Sequence, residues 1–121
     1  MPAEARRILD IGTGPGVSAF ALAEALPRAH VIGMDFASGM IRRAARHRER
    51  LGARNVSLAQ ADALCLPLHD ASLDAVTAHS FLYLVPRKED ALGEVARVLR
   101  PGGRAVFLEP RAEAPATPSL R

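Results

Sequence analysis

Three glycines at alternate positions, Gly12, Gly14 and Gly16, separate an apolar run at 7–11 from a helical pattern at 17–26. Glycine permits a tight turn between a strand and a helix, and it lets a ligand approach the backbone closely. The first turn of the helix adds unpaired N–H groups and positive potential, which favour a bound anion. The spacing is G-x-G-x-G and differs from the G-x-G-x-x-G of dinucleotide-binding folds. The segment predicts a strand, a turn and a helix with an anionic group at the turn, and a turn without a ligand is the alternative.

Apolar runs and helical patterns alternate along the rest of the chain. Short apolar runs bounded by turn residues predict strands, and apolar residues spaced three and four apart predict helices. Near-continuous apolar strands alternating with helices are typical of a parallel sheet covered on both faces. With right-handed crossovers, the predicted fold is α/β, a doubly wound parallel sheet with strand order 3-2-1-4-5. The predicted strands are 7–11, 30–35, 55–59, 73–78 and 104–109, and the predicted helices are 17–26, 38–51 and 86–99.

Three acidic residues fall where predicted strands end: Asp10 at strand 1, Asp35 at strand 2 and Asp62 just past strand 3. In a doubly wound sheet the ligand binds beyond the carboxyl ends of the strands where the winding direction reverses, here between strands 1 and 4. A carboxylate in that place can accept from both hydroxyls of a ribose or from the amine of a purine. The three acids therefore predict one pocket. A turn or helix-start role is the alternative for Asp35, and a turn role for Asp62.

Composition and length favour one ordinary globular domain. The chain has 121 residues, 49% of them hydrophobic and 24% charged. No apolar run approaches the ~20 residues of a membrane span, and the start lacks the pattern of a secretory signal, so a cytoplasmic location is expected. Prolines at 110, 115 and 118 stand in a segment poor in apolar residues. They predict a folded core over 1–110 and a disordered or extended tail over 111–121.

Four segments carry a family resemblance: Ile8-Leu-Asp-Ile-Gly-Thr-Gly-Pro-Gly16, Val31-Ile-Gly-Met-Asp-Phe36, Asp62-Ala63 before Leu66-Pro-Leu68, and Ala96-Arg-Val-Leu-Arg-Pro-Gly-Gly-Arg104. Together they resemble the type 11 family of class I S-adenosylmethionine-dependent methyltransferases, which includes the ubiquinone/menaquinone biosynthesis C-methyltransferases. The resemblance covers roughly residues 6–110. It implies a Rossmann-like fold and methyl transfer from S-adenosylmethionine to a small-molecule acceptor. Because that family usually has seven strands, this chain is expected to be truncated and to lack strands 6 and 7.

The resemblance implies where the cofactor lies in the predicted pocket. The methionine part is expected against Gly12–Gly16, the ribose on Asp35, and the adenine between Phe36 or Met40 and Asp62-Ala63. The residues predicted to bind the cofactor are Asp10, Gly12, Thr13, Gly14, Gly16, Asp35, Phe36, Met40, Asp62, Ala63 and Ser80.

The resemblance gives more specific expectations for Asp10, Ser80 and Pro15. Asp10 is expected to meet the ammonium group of the cofactor or to orient the loop, and Ser80 matches a family position at the methionine end. Pro15 departs from the family pattern, because the quinone-biosynthesis relatives often carry a threonine there that contacts the cofactor. That hydroxyl contact is therefore not expected in this chain.

Catalytic residues are less constrained by the sequence. Methyl transfer from a sulfonium is an in-line displacement, so proximity and orientation can supply much of the catalysis, and a base is needed only if the acceptor must lose a proton. His79 and Tyr83, beyond strand 4, are the candidates, and a role in lining or closing the pocket is the alternative. The four histidines show no metal-ligand spacing and Cys65 has no cysteine partner, so no metal is predicted.

Two surfaces bear on partners. The formal net charge is +3, and arginines crowd the second predicted helix. A solvated helix face explains them, and nucleic acid is the alternative that the sequence does not favour. Strand 5, with Ala105-Val106-Phe107-Leu108, is expected to present an apolar edge that a second protomer or a partner chain covers. A non-catalytic S-adenosylmethionine-binding or assembly module, or a remnant of a longer methyltransferase, is the alternative to an enzyme.

Overall fold

A computed structural model describes residues 6–79 and 85–108 of the chain. Within these ranges, helices and strands follow one another in the order that the sequence predicts. Their bounds are β1 Arg7–Ile11, α1 Val17–Ala25, β2 His30–Asp35, α2 Ser38–Leu51, β3 Val56–Gln60, β4 Leu73–His79, α3 Lys88–Val98 and β5 Leu99–Leu108. Ser80, Tyr83 and the segment 111–121 predicted to form a tail lie outside the described residues.

The strands form one parallel sheet in the order β3-β2-β1-β4-β5, which confirms the predicted fold and strand order. The central strand β1 pairs on both sides, with Ile8 opposite Val31 of β2 and Ala75 of β4. Successive side chains of a strand point to opposite faces, so an apolar run such as that of β1 requires cover on both.

The hydrophobic core accordingly has two parts, one on each face of the sheet. Leu9 of β1 packs in a cluster with Val95 and Val98 of α3, and its neighbour Ile8 packs in another with Ala19 and Ala23 of α1. Burying a valine, leucine or isoleucine side chain stabilises a fold by about 1.5–3 kcal/mol. The helices thereby hold the carboxyl ends of β1, β2 and β4 in fixed positions at one edge of the sheet.

The start of β5 corrects the sequence prediction. The strand begins at Leu99, directly after α3, whereas its predicted start was residue 104. Leu99 pairs with Leu73 of β4, and the register resumes with Arg104 opposite Ala75, so residues 100–103 form a bulge. A Cβ at Gly103 would lie 3.0 Å from the carbonyl oxygen of Arg100. The absence of a side chain at Gly103 therefore allows the backbone to come close to itself in the bulge. The sequence predicts Gly103 only as part of the end of the preceding helix.

β5 lies at the edge of the sheet, as predicted. Two of its apolar side chains are exposed, Val106 by 38% and Leu108 by 56%. Among the helices that the structure describes, none has the length and apolar character needed to cross a membrane.

Candidate functional site

A cavity of about 450 Å³ opens at the carboxyl ends of the central strands, where the winding direction of the sheet reverses. Its walls come from the ends of β1, β2 and β4, from the segment after β3, and from the residues that precede α3. The lining residues are Ile11, Gly12, Met34, Asp35, Phe36, Ala61, Asp62, Ala63, Leu64, Leu66, His79, Val85 and Pro86. A larger cavity of about 600 Å³ lies between α1 and α2, but its lining includes none of the predicted site residues.

The structure brings together five of the residues predicted to bind the cofactor, and one catalytic candidate. Gly12, Asp35, Phe36, Asp62, Ala63 and His79 line the cavity. Asp10, Thr13, Gly14 and Gly16 belong to the adjoining strand end and glycine-rich turn and do not line it. Met40 lies on the first turn of α2, outside the lining, with its sulfur 3.9 Å from Nη1 of Arg43. The geometry therefore favours Phe36 over Met40 as the side chain beside the pocket.

Asp35, at the end of β2, joins the glycine-rich turn to the cavity. Its Oδ2 accepts a hydrogen bond from the Gly14 N–H at 2.8 Å, and its Oδ1 accepts one from the Ala37 N–H at 3.0 Å. A carboxylate offers about four acceptor positions. One lone pair on each oxygen is therefore left for further donors, which is what two hydroxyls of one ribose require.

Asp62 and Ala63, just after β3, line the same cavity. The Asp62 side chain closes a turn, because its Oδ1 accepts from the Leu64 N–H at 2.9 Å. Its residue is exposed, so Oδ2 can meet a donor in the cavity. Phe36 follows β2, the strand that pairs with β3, and is 72% exposed on the same cavity. An exposed aromatic ring and a carboxylate on one cavity suit a heteroaromatic ring that carries an amine.

Asp10 lies in the core rather than on the cavity wall. The residue is only 1% exposed. Its Oδ2 accepts from the hydroxyls of Thr13, at 2.8 Å, and Ser18, and its Oδ1 accepts from the Thr77 hydroxyl at 2.8 Å. Of the two roles predicted for Asp10, this arrangement fits orientation of the loop, because almost no surface of the residue remains for a ligand ammonium group.

Hydrogen bonds hold the glycine-rich turn to itself and to β2. The N–H groups of Thr13 and Gly16 donate to the carbonyls of Met34 and Thr13, each at 2.9 Å, and the Gly14 N–H is held by Asp35. The first turn of α1 begins at Val17, where three or four N–H groups have no partner within a helix. An anion near the turn would therefore meet the start of α1 more readily than the turn itself.

Glycine is required at position 16 and is favoured at position 14 for different structural reasons. Gly16 has φ +95°, and a Cβ there would lie 2.5 Å from the Phe20 ring, so any side chain would collide with α1. Gly14 has φ +57° and open space where a Cβ would stand. The open space at Gly14 leaves its backbone accessible to a ligand.

Sequence reasoning missed a side-chain pair that holds the wall after β3. Arg97 of α3 donates to both carboxylate oxygens of Glu94, to the carbonyls of Leu66 and Leu68, and to Asp70 at 2.7 Å. Glu94 also accepts from the Leu66 N–H at 2.7 Å. The Arg97 hydrogen bond is the main reason that the pKa of Glu94 lies below its usual range. In the sequence, this pair is indicated only by the spacing of Glu94 and Arg97, two opposite charges three residues apart beside the apolar stripe of a helix.

The described ranges contain no group of three or more histidine, cysteine or acidic side chains close enough to hold a metal ion. Tyr83 and Ser80 cannot be placed relative to the cavity, because both lie outside the ranges given above.

Comparison with known sequences decides the family. The chain matches the family described as "Methyltransferase domain" over residues 3–120, almost its whole length. It belongs to the methyltransferase domain family. The predicted resemblance to methyltransferases is thereby confirmed.

Relatives of this methyltransferase domain differ in their acceptors. A demethylmenaquinone methyltransferase of Thermus thermophilus is 47% identical over 104 residues, which make up 86% of this chain and 47% of that protein. A malonyl-[acyl-carrier protein] O-methyltransferase of Methylococcus capsulatus is 40% identical over 84% of this chain and 36% of its own length. The solved structure of the YcgJ protein from Bacillus subtilis has a TM-score of 0.84 at 35% identity, over 93% of this chain and 49% of that one. This methyltransferase domain therefore spans about half the length of such relatives, or less.

Proposed function

We propose that this chain is the cofactor-binding part of an S-adenosylmethionine-dependent methyltransferase that acts on a small-molecule acceptor. The observation that carries the proposal is the meeting of Asp35, Phe36 and Asp62-Ala63, from the ends of two strands, around one cavity at the point where the sheet reverses its winding. Family membership supports methyl transfer, and the free acceptor positions of Asp35 support a ribose-bearing cofactor.

Each part of the cofactor has a matching group in this arrangement. The ribose hydroxyls would donate to the remaining lone pairs of Asp35. The adenine would lie between the exposed ring of Phe36 and the segment at Ala63, with its amine toward Asp62. The carboxylate of the methionine part would lie near the first turn of α1, where the helix presents N–H groups and positive potential.

The cofactor supplies a methyl group on a sulfonium, which is ready for displacement by a nucleophilic acceptor. The chain's own contribution is to hold the cofactor in one orientation and to exclude water from its reacting end, and orientation alone can account for a large part of a rate enhancement. His79, exposed at the end of β4, lines the same cavity. We propose it as a wall of the acceptor side, and as a base where the acceptor must lose a proton.

The first experiment is calorimetric titration with S-adenosylhomocysteine, the product form of the cofactor. Asp35→Ala should weaken binding at least about tenfold, because each hydrogen bond to a charged group contributes about 1.5–3 kcal/mol. Glu49→Gln, on the exposed face of α2, also removes one negative charge and should leave the affinity unchanged. Equal affinities for the wild type and Asp35→Ala would contradict the assignment of the ribose.

A non-catalytic cofactor-binding or assembly module is the second candidate, and the exposed edge strand β5 favours it. We propose that a second protomer or a partner chain covers this edge at Val106 and Leu108. Binding of S-adenosylhomocysteine without turnover of any acceptor would support the module over the enzyme. We also propose a cytoplasmic location, which the exposed free thiol of Cys65 supports because such thiols persist in reducing compartments.

A further inference from the structure

His47, on the third turn of α2, reaches the glycine-rich turn across 32 residues of sequence. Its Nδ1 lies 3.0 Å from the carbonyl oxygen of Pro15, and the contact is partly buried. A carbonyl can only accept, so Nδ1 must carry the hydrogen and donate it. No sequence pattern relates these two residues, and the predicted site does not include His47.

The bond acts on a peptide unit that the turn itself bonds on one side only. The Pro15 carbonyl and the Gly16 N–H belong to the same planar peptide. The N–H side donates to the Thr13 carbonyl at 2.9 Å, within the turn itself. Gly16 has φ +95°, which glycine adopts at little cost, and its own carbonyl accepts from the Phe20 N–H at 2.9 Å. His47 bonds the carbonyl side of the same peptide from α2, which lies outside the turn.

The turn is thus held by three side chains from three elements. Asp10 of β1 holds Thr13, Asp35 of β2 holds Gly14, and His47 of α2 holds Pro15. The same helix also packs directly on the turn, because a Cβ at Gly16 would come within 3.2 Å of the Ala44 Cβ. The position of α2 is therefore transmitted to the peptide that precedes α1.

We infer that His47 is a positioning residue: by holding the Pro15–Gly16 peptide it keeps the glycine-rich turn and the start of α1 preformed for the cofactor. The inference rests on the proposed function, since it concerns cofactor affinity. Loss of one hydrogen bond of this kind should weaken cofactor binding by about 3- to 10-fold. His47 does not line the cofactor cavity, so this effect would pass through Pro15.

Two substitutions of matched shape separate this role from simple packing. His47→Asn keeps an N–H donor at nearly the position of Nδ1, and His47→Leu has a methyl group of similar reach without a donor. Leucine is a good helix former, so His47→Leu should not weaken α2 through helix propensity. Arg48→Met is the control, because Arg48 on the same helix also donates to a backbone carbonyl, that of Val56 at 2.7 Å, away from the turn.

The experiment measures the dissociation constant of S-adenosylhomocysteine, the melting temperature and the amide hydrogen exchange of Gly16 for all four proteins. We expect His47→Leu to bind S-adenosylhomocysteine about 3- to 10-fold more weakly and to exchange the Gly16 amide hydrogen faster. His47→Asn should recover most of the affinity and most of the protection from exchange. Arg48→Met should change only the melting temperature. Unchanged affinity and exchange in His47→Leu would overturn the inference. If the wild type failed to bind S-adenosylhomocysteine, the proposed function would fail, and Gly16 exchange alone would decide whether His47 holds the turn.

Discussion

A buried acid organises the strand end from which the site begins. Asp10 has no cationic partner among the described residues, and three hydroxyl groups satisfy its carboxylate. Burial of a carboxylate is costly unless hydrogen bonds replace water, and each of these bonds also orients its donor. Asp10 thereby fixes the turn through Thr13, the first helix through Ser18 and the neighbouring strand through Thr77.

The Thr77 hydroxyl links β4 to Asp10 through one hydrogen bond, at 2.8 Å. Thr77→Val keeps the shape of the side chain and removes the donor to Asp10 Oδ1. Because a buried charged acceptor then lacks a partner, we expect the free energy of unfolding to fall by about 1–3 kcal/mol, measured by urea denaturation. Ser57→Ala is the control: it removes an exposed hydroxyl of β3 that lies 2.6 Å from His30 Nε2, and it should change the free energy of unfolding by less than about 0.5 kcal/mol. A stability of Thr77→Val equal to that of the wild type would show that the Asp10 network is not needed.

Among the elements, α3 controls a wall of the cavity without contributing to it. The segment after β3 has no regular structure apart from an isolated bridge between Asp62 and Cys65. Arg97 and Glu94 of α3 bond to three of its backbone groups, at Leu66 and Leu68. These bonds replace the strand or helix hydrogen bonds that an irregular segment lacks. The placement of Asp62 and Ala63 therefore depends on α3, a helix that does not itself line the cavity.

Removal of this clamp should affect both stability and binding. Arg97→Met removes the donor to Glu94 Oε2 and to the Leu66 and Leu68 carbonyls, so we expect a loss of about 1–3 kcal/mol in the free energy of unfolding and weaker binding of S-adenosylhomocysteine. Arg87→Gln breaks an exposed ion pair with Asp90 and should cost less than about 1 kcal/mol. Melting curves and calorimetry of both variants provide the measurement.

The same clamp predicts part of the pH dependence. The Arg97 hydrogen bond lowers the pKa of Glu94 below its ordinary value of 4.5, so the folded state holds this proton less tightly than the unfolded state. The stabilisation is therefore present above that value and is lost as the pH falls through the lowered pKa. In Arg97→Met the pKa returns toward 4.5, and acid should remove less stability. An equally steep acid loss in the variant would contradict this account.

Assembly with another chain is expected at β5, the edge strand of the sheet. A strand at the edge of a sheet presents unpaired backbone groups to which another chain can add, and exposed apolar side chains strengthen that tendency. Val106→Lys places a charge on this strand and should shift the chain toward monomer in sedimentation velocity. Val17→Lys, at a 69% exposed position on α1, adds the same charge elsewhere and should not. A wild type that stays monomeric at high concentration would contradict cover of this edge by a second protomer.

Much of the fold could be predicted because its signals are local. The glycine-rich turn, the five apolar runs and the spacing of the helices each depend on neighbouring residues, and the handedness of crossovers then leaves few strand orders. The site's location followed from the same argument, since strand ends meet at one edge. That Asp35, Phe36, Asp62 and Ala63 bind a cofactor stays a prediction, although the structure gathers them around one cavity.

Local patterns along the chain therefore specify the order of elements, the strand order and the edge at which a ligand is expected. Long-range packing was needed to show that Asp10 is buried, that Arg97 holds the wall after β3, that His47 contacts Pro15, and that β5 begins at Leu99. Each of these depends on residues that are far apart in sequence, such as the 67 positions between Asp10 and Thr77. Local periodicity carries no information about such contacts, because they arise only when the packed sheet and helices bring the side chains together.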